Sequence, residues 1–83
     1  MKKAWQCCAN VFVGDVLLAT IRTCDALFCF YISKQITIDD KIIKRKRQID
    51  FASFDTAHNE LLNYMRNKYE IDESRIFIQK TSA

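Results

Sequence analysis

The sequence predicts an α+β domain: an antiparallel β-meander in the order β-β-β-β-α-β, with one helix packed on one sheet face. Three observations predict it. Up to Phe51 the chain is rich in Val, Ile, Phe, Tyr and Thr, and its apolar residues recur with a period of two, as in half-buried strands. From Ser53 to Lys68 the period changes to three and four, as in an amphipathic helix. The 83 residues contain no Pro, a single Gly and no repeat or low-complexity tract, so no linker can be drawn and one domain spans 1–83. A sheet with an apolar face and one helix to cover it must bring the two together.

In the first strand Trp5, Cys7, Ala9, Val11 and Val13 alternate with Gln6, Cys8, Asn10 and Phe12. Gly14-Asp15 marks a turn, and Leu17, Ala19 and Ile21 carry the inward face of the second strand. A two-residue loop would set Val11 opposite Leu18 and mismatch the apolar faces, so a three-residue loop with a bulge is expected. Phe28, Phe30, Ile32, Ile36 and Ile38 share one face of the third strand, interrupted by Lys34. A turn at Asp39-Asp40 then pairs Ile36 with Ile43, Phe30 with Ile49 and Phe28 with Phe51. That register also sets Arg45 opposite Lys34 and Arg47 opposite Ile32 on the core face, where arginines cannot be buried unpaired.

A twelve-residue strand reaches about 40 Å, more than a core of this size needs. One resolution is an overhanging two-stranded ribbon from Lys34 to Arg47, with a basic shaft and an isoleucine tip (Ile36, Ile38, Ile42, Ile43). The other is a bulge at Lys34 that divides the strand. Beyond it, Ser53 or Asp55 caps a helix whose stripe is Phe54, Ala57, Leu61, Tyr64 and Met65, ending near Tyr69. Arg75 to Gln79 forms a last strand that joins an edge, with Ile76 and Ile78 inward.

Hydrophobic residues make up 49% of the chain and charged residues 28%, values of a globular domain rather than a disordered one. A domain this small buries about 60 to 65% of its unfolded surface, which argues against a deep enzyme cleft. Met1-Lys2-Lys3 is followed by Trp5, Gln6 and Asn10, and is read as an uncleaved start. The most apolar window, Ala26 to Ile32, is far shorter than the roughly 20 residues of a membrane span. The expectation is a soluble cytoplasmic protein without membrane contact, in which Cys7, Cys8, Cys24 and Cys29 are free thiols.

Cys7, Cys8, Cys24, Cys29 and His58 lack the spacing of a zinc site, since adjacent Cys7 and Cys8 on a strand point to opposite faces. His58 is the only base available to a thiol nucleophile, and nothing in the sequence brings the two together. One glycine cannot build a phosphate cradle. No catalytic residue, metal site or cofactor is therefore expected, and a thiol or zinc-dependent enzyme is the weakest reading.

The charge is more informative. The net value is only +3, yet Lys34 to Arg47 holds six basic residues against two acidic, net +4, and the remainder is −1. The candidate partner-binding residues are Lys34, Lys41, Lys44, Arg45, Lys46 and Arg47. Against them stands the reading of a solvated edge strand, because Lys and Arg also protect edges from aggregation. The functional expectation is a small non-catalytic protein-binding module, a regulator or inhibitor of a larger host or viral machine. The alternative is a nucleic-acid-binding protein that uses the basic ribbon. Trp5, Tyr31, Tyr64 and Tyr69 are candidate stacking or anchor residues. Apolar side chains on the second sheet face (Phe12, Leu18, Leu27, Cys29, Tyr31) further predict a homodimer.

Overall fold

The alternation along the chain becomes seven strands and one helix in a computed structural model that describes residues 4–81. They are β1 (Gln6–Val13), β2 (Val16–Cys24), β3 (Leu27–Ile32), β4 (Ile36–Ile38), β5 (Lys41–Ile43), β6 (Lys46–Phe51), α1 (Phe54–Tyr69) and β7 (Ile76–Lys80), the last preceded by a 3-10 turn at Glu73–Arg75. The Met1-Lys2-Lys3 start lies outside the described residues. Five strands form an antiparallel sheet in the order β6-β3-β2-β1-β7, while β4 and β5 pair separately. The α+β class and the single covering helix are as predicted, and β7 joins the edge beside β1. Two predicted strands are each divided in two.

The core lies between the sheet and α1. Ala9, Val11, Val13, Ala19, Ile21, Phe30 and Ile32 from the sheet meet Ala57, Leu61 and Met65 from the helix, all buried. Ser53 caps the helix: its Oγ accepts the Thr56 N–H at 3.1 Å. At the other end Glu70 turns to a φ of 57°, and the Ile71 N–H reaches back to the Met65 carbonyl at 3.3 Å, with Ile71 itself fully buried.

Three register details depart from the sequence expectation. Gly14 and Asp15 form a two-residue loop closed by Val13 and Val16, not a three-residue loop, with Gly14 at a φ of 60°. The mismatch is removed by a bulge in β2 that takes up Leu18 and sets Val11 opposite Ala19. A second bulge takes up Cys8, so Cys7 and Cys8 do not follow the simple alternation assumed for them.

The third detail concerns the basic segment, which is not one overhanging ribbon. The chain breaks at residues 33–35, and the β4–β5 hairpin folds in so that Ile38 and Ile43 join the core, Ile36 packs against it and Ile42 stays exposed. Burying an isoleucine is worth about 1.5 to 3 kcal/mol, more than the roughly 0.5 to 1.5 kcal/mol that one ladder bond returns, and the hairpin buries two. The predicted pairs Ile36–Ile43 and Phe28–Phe51 are present, but Phe30 lies opposite Gln48 rather than Ile49. Ile49 and Asp50 form a bulge, with Asp50 at a φ of 72°. It moves Lys46 opposite Ile32 and Arg47 opposite Tyr31, so Arg47 leaves the core face. Arg45 and Lys34 fall outside the strands and do not pair.

Polar contacts hold the hairpin to the end of the helix. Lys41 Nζ donates to the Tyr69 carbonyl, one of the acceptors left open where a helix stops, and lies 3.9 Å from the Glu70 carboxylate. The Lys44 N–H donates to the Tyr69 hydroxyl at 3.3 Å. In the β4–β5 turn Asp39 accepts two hydrogen bonds from the Arg75 guanidinium, the longer at 3.2 Å.

The β2–β3 turn places Asp25 at a φ of 51° and Ala26 at 66°. Alanine carries a Cβ penalty there that glycine does not. Ala26→Gly should therefore raise stability by about 0.5 to 1 kcal/mol, measured as a higher denaturant midpoint at unchanged slope. Hydrogen bonds from Arg75 hold the Asp39 carboxyl below its ordinary value of 3.8. A depressed carboxylate contributes stability that is present above that value and is lost as pH falls through the folded one. Asp39→Asn should consequently be less stable than the parent at neutral pH, and the gap should close in denaturant titrations as pH is taken below about 4.

Candidate functional site

Arg22 and Cys29 are cross-strand partners on β2 and β3, as are Thr20 and Tyr31, and Tyr31 in turn faces Arg47 on β6. The intervening residues Ile21 and Phe30 point into the core, so Arg22, Cys29, Tyr31 and Arg47 share the opposite, open face of the sheet. The Arg22 guanidinium lies 5.0 Å from the centre of the Tyr31 ring, and its Nε donates to Thr20 Oγ1 at 3.0 Å. That fixes the planar fork in place over the strand. Trp5, Arg22, Cys29, Tyr31 and Arg47 line a depression of about 220 Å³, and Tyr31, Arg45, Lys46 and Arg47 line a neighbouring one of about 390 Å³. Tyr31 and Arg47 form the wall between them.

The six basic residues singled out from sequence do not make one surface. Lys34 is exposed in the loop between β3 and β4, and Lys41 is engaged with Tyr69 and Glu70 at the helix end. Lys44 contributes its backbone N–H to Tyr69 while its side chain is exposed. Lys46 turns to the helix side of the sheet, with Nζ 5.4 Å from the Tyr64 ring centre. Arg45 and Arg47 are exposed beside Tyr31. No ion pair reaches either of them among the described residues.

Nothing in the sequence pattern marks out Arg22. It sat at an outward position of β2, and only the cross-strand register brings it beside Tyr31. The sequence signal that could have found it is a lone arginine among apolar and hydroxyl residues on a central strand. Trp5 and Tyr31, candidate anchors by sequence, are both half-buried in this cluster. Tyr64 and Tyr69 pack against each other on the far side, with ring centres 5.9 Å apart.

Cys29 is fully buried yet lies outside the core cluster, beneath Trp5, Arg22, Tyr31 and Arg47. Burial pushes its thiol above the ordinary value, against the pull of Arg22 and Arg47, and burial followed by the proximity of Cys7 raises Cys8 as well. A raised thiol has little thiolate at neutral pH and is a poor nucleophile. His58 packs against Phe54, ring centres 6.2 Å apart. Among the described residues no three of His, Cys, Asp and Glu gather where they could hold a metal, and no helix is long and apolar enough to cross a membrane. Compared with protein-family models, curated proteins and solved structures, the chain matches none.

Thiol reactivity should follow this environment. With a maleimide reagent at pH 8, the exposed Cys7 should be labelled first and Cys29 last, the latter only as the side chains over it open. Peptide mass spectrometry over time reads the order directly.

Proposed function

We propose that the protein is a small non-catalytic binding module, and that its working surface is the open sheet face around Arg22, Tyr31, Arg45 and Arg47. The observation that carries this reading is the convergence of three arginines and a half-buried tyrosine on one face without an acidic partner among the described residues. Guanidinium forks match carboxylates two bonds at a time, and aromatic and arginine side chains dominate binding hot spots. An acidic surface of a protein partner supplies the complementary charge, and a regulator or inhibitor that covers such a surface needs no cleft of its own. The burial of Cys29 and the placement of His58 against Phe54 favour a role without covalent chemistry.

A second reading rests on one specific feature, the aromatic residues among the arginines. Tyr31 and Trp5 beside Arg22 and Arg47 could also stack bases while the arginines meet phosphates, as single-strand binders do.

Wild-type protein, Arg45→Gln/Arg47→Gln and Lys44→Gln/Lys46→Gln serve as baits in nuclease-treated extracts and as titrants of oligothymidylate by fluorescence anisotropy. The expected result is a protein retained by the wild type and the lysine variant and lost about tenfold or more from the arginine variant. Tight, steeply salt-dependent binding of oligothymidylate that drops equally with either variant would replace the protein-partner reading with the nucleic-acid one. Unchanged capture by all three baits, with only solubility altered, would reduce the basic run to edge protection.

A further inference from the structure

β6 is an edge strand, paired through β3 on one side only, and depressions flank the same short stretch of it on both faces. On the open face lies the site lined by Tyr31, Arg45, Lys46 and Arg47. On the helix face Gln48 from β6 meets Glu60, Asn63, Tyr64, Asn67 and Lys68 from α1 around a second depression of about 360 Å³. We infer that the β6 edge accepts an extended acidic peptide segment as an added strand. Its acidic side chains at alternate positions meet Arg45 and Arg47, and the side chains between them enter the amide-lined depression. This deepens the protein-binding reading given above and rests on it.

The geometry of an extended chain carries the argument. Successive side chains of a strand project to opposite faces, so a strand laid along β6 presents its residues alternately to the two depressions while its backbone completes the ladder. The bulge at Ile49–Asp50 ends regular pairing, which leaves residues 46–48, about 10 Å, as the regular edge, with Arg45 just before it. Charge selects the occupant. A second copy of β6 would bring Lys46 and Arg47 against like charges, whereas an acidic strand is complementary. A nucleic acid would engage the arginine face alone, whereas the helix-side depression, with three amides and with Glu60 offset by Lys68, suits uncharged polar side chains.

The test uses the full chain and a twelve-residue peptide of alternating Glu and Thr, with a peptide of identical composition in Glu-Glu-Thr-Thr order as control. Two further versions carry N-methyl groups on every Glu or on every Thr. In a strand the amides of alternate residues point to the same edge, so one methylated series blocks the ladder to β6 and the other leaves it free. The expected result is tighter binding of the alternating peptide and a loss of about tenfold or more for one methylated series only. Slowed hydrogen exchange at the amides of residues 46–48 that point away from β3 should accompany it. If both methylated series bind like the parent while Arg45→Gln/Arg47→Gln abolishes binding, strand addition is overturned and the acidic-partner reading stands. If no acidic peptide binds and oligothymidylate does, both are overturned.

Discussion

An ionised guanidinium cannot rest unpaired against an apolar core, and the layout of the basic half of the protein follows from that constraint. With uninterrupted pairing from Phe28–Phe51, Arg47 would lie opposite Ile32 and point at the helix. One extra residue at Ile49–Asp50 turns it away and brings Lys46 and Gln48 to the helix side in its place. A lysine there is tolerable because its flexible stem reaches the Tyr64 ring at the rim of the core. The same shift assembles the open face, since Arg47 reaches Tyr31, and through it Arg22, only in the shifted register. One bulge thus serves both the packing of the core and the composition of the surface.

Local periodicity made the element types legible, and with them the helix stripe, a cap at Ser53 or Asp55, the turn at Asp39-Asp40 and the edge position of β7. It could not reveal where alternation slips. Bulges at Cys8, Leu18 and Ile49–Asp50 each depend on tertiary matching of apolar faces, and a slip of one residue reverses every face beyond it. The arginine conflict at Arg47 was visible from the sequence as an unpaired charge on a core face, and it marked the location of one slip. The candidate site was half legible for the same reason. Arg45 and Arg47 stood out within a charge run, but Arg22 joins them only through cross-strand register. Lys41 was indistinguishable from its basic neighbours until the helix end that it satisfies was brought beside it.

The two sheets divide the labour between support and display. The β4–β5 hairpin contributes isoleucines to the core and is tied by the Lys41 and Asp39 side chains and the Lys44 backbone N–H to the segment from Tyr69 to Arg75, so the charges of Lys41 and Asp39 are engaged internally. β6, immediately afterwards in sequence, keeps its arginines exposed. A charge run that looks uniform in sequence is therefore separated by the fold into groups that hold the structure and groups that face outward.

The seam between β1 and β7 sets how the protein responds to being pulled. Thr81 donates its N–H to the Cys8 carbonyl at 2.9 Å, and its hydroxyl reaches the carbonyls of Cys7 and Cys8 at 3.1 Å, so the outer ends of the two strands lie side by side. Tension applied at the two ends of the domain loads this ladder from one rung, and the rungs part in sequence rather than resisting together in shear. Peeling runs from Cys8 toward Val13 and uncovers the buried side chains of β1 well before it reaches the β3–β6 pair. A load carried through the ends thus strips the far edge first, taking Trp5 with it, and reaches the pairing of Tyr31 with Arg47 last.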